Sequence, residues 1–201
     1  MSLEEVDVAV LCGGKNSRTE ILSDINGKPY LDWLIDRLKL YGAKRVVLCT
    51  VSPVERLQEW LSTKTNDGVD IEFSIEPFQS GTGSAIRHAR EMMKTNPVLV
   101  MNGDTISNAN LGVFLKYHAG GSLTALESRR YPTSAYRPAG HYLISQAILD
   151  DIVQRRARSL EDYVHAKRDR RVMRSGVYFD IATPGAAKNM AFFFENMLEV
   201  A

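Results

Sequence analysis

Blocks of apolar and mixed residues alternate along this chain with two different periods. Residues 6–12 form a near-continuous apolar run ending in Gly13-Gly14, which suits a strand buried on both faces, as in a parallel sheet. Leu31, Leu34, Ile35, Leu38 and Tyr41 then follow helical spacing, and Gly42 ends that helix. Residues 45–51 (RVVLCTV) read as a second buried strand, and Pro53 opens a helix carrying Val54, Leu57 and Leu61. Val69, Ile71, Phe73 and Ile75 alternate with other residues, giving a third strand. A helix after Gly83 leads to a fourth strand at 97–101, which ends at Asn102-Gly103-Asp104. Leu111, Phe114, Leu115 and His118 mark the next helix. Strand and helix alternate throughout this half, and that order selects a parallel sheet with helices on both faces.

The second half is less regular. Residues 122–127 and 141–145 read as short strands, 147–156 as a helix, and 171–174 and 177–181 as two further strands. Thr183-Pro184 is a capping residue followed by proline at the first helical position, so a last helix starts there. The expectation is a Rossmann-like α/β three-layer sandwich with a mostly parallel, mixed sheet. Without repeats or linker-like shifts in composition, residues 1–201 read as a single domain.

Composition changes this picture little. At 201 residues with 44% hydrophobic and 24% charged positions, a chain buries roughly 70% of its extended surface and needs no metal or disulfide staple. A formal charge of +1 gives no global attraction to nucleic acid or anionic membrane, and neither is expected as a partner. Cys12 and Cys49 each end an apolar run and read as small hydrophobes in neighbouring buried strands. The N-terminus lacks a basic then apolar leader, and no stretch approaches the ~20 apolar residues of a membrane span, so a cytoplasmic protein is expected.

Three polar segments fall at strand ends, where ligands of open α/β sheets sit. Gly13-Gly14-Lys15-Asn16-Ser17-Arg18 is either a plain turn or an anion nest, with Lys15 and Arg18 adding charge. It fits neither the Walker A nor the G-x-G-x-x-G pattern. Asn102-Gly103-Asp104-Thr105 is either a tight turn or a site where the Asp104 carboxylate holds Mg²⁺. Asp180, inside an apolar strand, is either a satisfied structural carboxylate or a cation ligand. Between them, EPFQSGTGSAIRHA (from Glu76) is a glycine-rich loop entering a helix, suited to backbone contact with a base or ribose.

In order, GGKNSR, EPFQSGTGSAIRHA, VLVMNGDT and YFDIATPGAA resemble the sugar-1-phosphate nucleotidyltransferase family, in particular the branch with heptose-1-phosphate guanylyltransferases. NGKPYLDWLIDRLKLYGAKRVVL and AGHYLISQAILDDI extend the resemblance over most of the chain. It implies the family's GT-A-like fold and a phosphate-binding loop at Gly13, Gly14, Asn16, Ser17 and Arg18. Base and ribose recognition would fall at Glu76, Gly81, Thr82 and Gly83, with Mg²⁺ held by Asp104 and Asp180. The implied partners are a nucleoside triphosphate, GTP favoured, and a sugar 1-phosphate. The implied product is an activated sugar for surface polysaccharide.

The chain departs from the family pattern twice. The family's Pro-Lys-Pro segment is missing between Arg18 and Gly27, leaving Lys28 or Lys15 as substitutes for its phosphate-contacting lysine. The insertion after Glu127 that carries a Glu-Lys pair is reduced to residues 128–138. Two alternatives therefore stand beside the transferase. One is a nucleotide-binding homologue with little turnover, and the other a transferase for a smaller phosphorylated acceptor. Residues 155–174 hold eight Lys or Arg against three acidic residues; they form a solvated, basic helical face, or Arg171 or Arg174 enters the site in place of the missing lysines. Residues 191–200 (AFFFENMLEV) carry more apolar surface than one helix face buries, and a homodimer through this C-terminal helix is a further expectation. His88, His118, His141 and His165 are scattered and receive no catalytic role.

Overall fold

The structure, a computed structural model, describes residues 2–14, 21–64, 68–130 and 133–181. Val8–Leu11 forms β1, and Asp24–Ile25 (β2) and Lys28–Pro29 (β3) form a small hairpin before helix α1, Tyr30–Leu40. Strand β4 (Arg45–Val51), helix α2 (Glu55–Ser62) and strand β5 (Asp70–Glu76) follow. Helix α3 (Thr82–Ala89) leads into β6 (Val98–Asn102), the short β7 (Thr105–Ser107) and helix α4 (Leu111–His118). The rest comprises β8 (Leu123–Arg129), β9 (Tyr136–Ile144), α5 (Gln146–Gln154), α6 (Leu160–Ala166) and β10 (Arg171–Asp180).

Eight strands join one sheet in the order β5-β4-β1-β6-β9-β8-β10-β7. The first four are mutually parallel, β9 runs antiparallel to both β6 and β8, and β10 runs parallel to β8 before pairing antiparallel with β7. Both faces of β1 are buried because its side chains alternate between two cores. Val8 and Val10 join α1 and α4 residues such as Leu34 and Phe114. Ala9 and Leu11 join Ile86, Ile152 and Val164 of α3, α5 and α6. Cys49 lies in β4 and Cys12 directly follows β1; both are buried, and the Cys12 N–H donates to the Cys49 carbonyl (2.7 Å).

Several local expectations change. Residues 171–180 are one strand with a register shift between Arg174 and Val177, not two strands. Gly176 takes φ +65°, and the Asn108 carboxamide fills the irregularity by accepting from Val177 N–H at 2.8 Å. In β5 the apolar side does not run to the strand's end: Ile75 is 42% exposed, whereas Ser74 and Glu76 are buried. Residues 160–166 form a helix within the stretch read as a basic helical face; Ser159 caps it by accepting from Asp162 N–H. Asn102-Gly103 does not close a hairpin, since β6 and β7 lie apart in the sheet. The expected last helix, with its dimer contact, lies outside the described residues.

Candidate active site

Strand order 3-2-1-4 in the parallel half (β5-β4-β1-β6) makes the β1/β6 junction a topological switch point. After β1 the chain turns toward β4, and after β6 it crosses to the sheet's far edge. Such a junction leaves a crevice at the strands' carboxyl ends. Gly103 draws the two exits together: its N–H donates to the Leu11 carbonyl at 2.9 Å. A Cβ at this position would lie 2.8 Å from the same oxygen. The sequence Asn-Gly-Asp is thus a close-approach point that sets Asp104 beside the end of β1.

The end of β10 is tied to the same place. Asp180 pairs in register with Thr105, and Ile181 N–H donates to the Asp104 carbonyl at 2.9 Å. The two aspartates predicted from opposite ends of the chain are therefore brought together. Burial raises the Asp104 carboxyl above its ordinary value; the Thr105 hydroxyl, which donates to it at 3.1 Å, opposes this, while the Asp180 and Glu161 charges push the same way. Partial desolvation and like charge both disfavour the ionised carboxyl, and a nearby cation would offset them.

Leu11, Gly13, Gly14, Glu76, Gly81, Thr82, Asn102 and Asp104 share one cleft of 130 Å³, together with Gln79 and Ala85. Seven of the predicted positions lie outside this set or are unseen in it. Lys15, Asn16, Ser17 and Arg18 fall outside the described residues. Glu76 is buried at the end of β5, where the Ser84 hydroxyl donates to it at 2.6 Å. Glu76 thus enters the cleft wall as a buried carboxylate held by Ser84.

The glycines of the G-x-G segment also serve a contact that the sequence did not show. A Cβ on Gly81 would lie 2.4 Å from the Arg158 carbonyl oxygen, and one on Gly83 2.2 Å from that of Ala157. Their missing side chains admit the backbone of residues 157–158, held by Gly83 N–H to Arg158 O (3.0 Å) and Arg87 to Ala157 O (2.6 Å). Thr82 completes the junction, accepting from Leu160 N–H and donating to Glu161, both at 2.8 Å. Glycine here answers to backbone packing, and Gly83 itself is buried.

Lys28 is not gathered into this cleft, which corrects its expected catalytic place. It ion-pairs with Asp36, lies 4.2 Å from the Trp33 ring centre, and lines a separate cavity of 470 Å³. That cavity is larger, yet its lysines are already matched: Lys64 pairs with Asp32 at 2.6 Å as Lys28 does with Asp36. Arg171 and Arg174 are also spent elsewhere. Arg171 donates to the Tyr117 and Ala119 carbonyls, and Arg174 pairs with Glu127 at 3.0 Å.

Besides Gln79, two polar residues at the site carried no assignment from sequence. Glu161 is one, and only its place in Ser159-Leu160-Glu161 could have flagged it. Asn102 is the other: its side-chain oxygen is buried and has no hydrogen-bond partner among the described residues.

A family model described as nucleotidyl transferase matches residues 15–161. The D-glycero-alpha-D-manno-heptose 1-phosphate guanylyltransferase of Campylobacter jejuni is 34% identical over 110 residues, 51% of this chain and 49% of its own. The mannose-1-phosphate guanylyltransferase of Mycobacterium tuberculosis is 29% identical over 126 residues, 59% of this chain and 35% of its own. The chain thus spans half or less of the length of these curated relatives. Among solved structures, HddC from Yersinia pseudotuberculosis complexed with GMP-PN superposes with TM-score 0.81 at 21% identity, covering 94% of this chain and 99% of that one. The likeness in structure establishes the fold.

Proposed function

The chain belongs to the nucleotidyl transferase family, and we propose that it transfers a nucleoside monophosphate, GMP by preference, from the triphosphate to a sugar 1-phosphate. The observation that carries this reading is the meeting of Asp104 and Asp180 beside a cleft walled by Gly13, Gly14, Glu76 and Gly81. The guanine preference rests on the two relatives named for guanylyl transfer. An activated sugar for surface polysaccharide, made in the cytoplasm where its triphosphate is available, is the product this reading assigns.

The chemistry follows from the charges. An acceptor phosphate oxygen, already ionised at neutral pH, attacks the α-phosphorus; a new P–O bond forms, the bond to the β-phosphate's bridging oxygen breaks, and pyrophosphate leaves. No general base is needed, so the protein's task is alignment and charge neutralisation. The donor set fits Mg²⁺, which is commonly bound by one or two carboxylates together with substrate phosphates. Asp104 and Asp180 would hold it, and it would supply the neutralisation of phosphate charge. Gly13 and Gly14 leave the end of β1 bare for a phosphate to approach, and the helix N-terminus at Thr82 faces the same cleft.

A second reading, a nucleotide-binding homologue with little turnover, draws support from Lys28, which is held by Asp36 away from the cleft. Phosphorus NMR separates the two. GTP, Mg²⁺ and a panel of sugar 1-phosphates and smaller phosphorylated acceptors, incubated with the protein, are expected to give a diphosphate-linked product and pyrophosphate. Saturable GTP binding with no product from any acceptor would favour the second reading.

A further inference from the structure

The described cleft walls carry carboxylates but no cation: Glu76 and Asp104 line it, with Asp180 and Glu161 near Asp104. A nucleotide entering such a wall needs a positive partner on it. Arg158 is placed to be that partner. Its carbonyl accepts from Gly83 N–H, and its Cγ would lie 3.3 Å from a Cβ on Gly81, a cleft residue. The side chain therefore starts against the cleft's rim, on the Gly81 side.

The backbone around Arg158 is held on both sides. Ala157 N–H donates to Ile152 O, Ala157 O accepts from Arg87, and Leu160 N–H donates to Thr82. Yet the side chain is exposed, and among the described residues its guanidinium makes no ion pair or hydrogen bond. This contrasts with Arg155, Arg171 and Arg174 of the same basic stretch, each tied to a carboxylate or carbonyl. A held backbone segment that presents an uncommitted planar cation at the cleft's rim is suited to meet a ligand there.

We infer that Arg158 is a further nucleotide-binding residue, its guanidinium plane lying on the base and ribose of the nucleotide held beside Gly81. The inference rests on the function proposed above and names a contact that neither the G-x-G segment nor the aspartates supply. A guanidinium over an aromatic face contributes roughly 0.5–2 kcal/mol, about 2- to 30-fold in affinity.

The test is calorimetric titration of wild type and Arg158→Ala with GTP and Mg²⁺, and separately with inorganic tripolyphosphate and Mg²⁺. Weaker GTP binding by that factor, with tripolyphosphate binding unchanged, is the expected result. Equal GTP affinity in the two proteins overturns the contact, and so does an equal loss for tripolyphosphate, which would place Arg158 on the phosphates. Wild type that binds none of the common nucleoside triphosphates refutes the proposed function instead. The exposed side chain leaves folding intact, checked by unchanged thermal unfolding.

Discussion

Gly83→Ala sets local preference against tertiary packing and gives opposite signs for the two. Gly83 is the second residue of α3, where alanine is favoured by roughly 1 kcal/mol on helix propensity alone. The structure reverses that expectation. The added Cβ would lie 2.2 Å from Ala157 O, 2.7 Å from Ala157 C and 3.1 Å from Arg158 C, all backbone atoms. The 157–158 segment must retreat by about 1 Å to reach ordinary contact, and overpacking of this kind costs about 1–3 kcal/mol. The retreat also stretches the Gly83–Arg158 bond and the Arg87 bond to Ala157 O, each contributing about 1 kcal/mol. The net expectation is a loss of about 1–4 kcal/mol, read as a lower urea midpoint with an unchanged m-value. Nucleotide affinity falls with it, because the displaced segment carries Arg158. A variant as stable as wild type, or more stable, would refute the backbone-packing reading of this glycine.

Asp104→Asn is expected to leave stability at pH 7 equal or higher while abolishing transfer. The folded-state pKa of Asp104 is raised, so the native state binds more protons than the unfolded chain and stability falls as pH rises through that range; the variant should show a flatter urea-midpoint profile between pH 4 and 7, and a loss beyond about 1 kcal/mol at pH 7 would contradict this. His141 has the opposite sign. Burial lowers it to about 4 from 6.5, its Nδ1 lying 2.6 Å from Ala139 O, so its stabilising neutrality holds above 6.5 and is lost as pH falls toward 4. About 3 kcal/mol is at stake, and His141→Asn should remove that part of the acid dependence in the same titration. Glu161→Gln is expected to raise the acceptor KM several-fold while leaving GTP affinity within about twofold, since the carboxylate is held by Thr82 and Ser159 beside Asp104; steady-state kinetics with each substrate varied in turn decides it.

The parallel half was legible because its signals are local. Buried strands such as residues 45–51 are almost continuously apolar, and α1 repeats its core residues at helical spacing. Asp104 and Asp180 could be marked as strand-end carboxylates, but only the β7–β10 pairing shows that they meet. Contacts that depend on distant backbone left no trace. Gly81 and Gly83 read as ligand-facing, and nothing in sequence shows that residues 157–158 also lie against them. Lys28 lies in a later segment than the missing Pro-Lys-Pro, and the helix that follows carries Trp33 and Asp36, which engage it. β10 read as two strands because Gly176 interrupts the alternation, whereas Asn108 bridges the gap from another element. Glu161 lay hidden in a basic stretch whose charges dominated its appearance.

The most direct measurement is pyrophosphate release by wild type and Asp180→Asn, with GTP, Mg²⁺ and a sugar 1-phosphate supplied singly and together. Release that needs both substrates and falls by about 10²–10³ in the variant is the predicted result. Release with GTP alone at the same rate, or full activity in the variant, would contradict a nucleotidyl transfer site built on the paired aspartates.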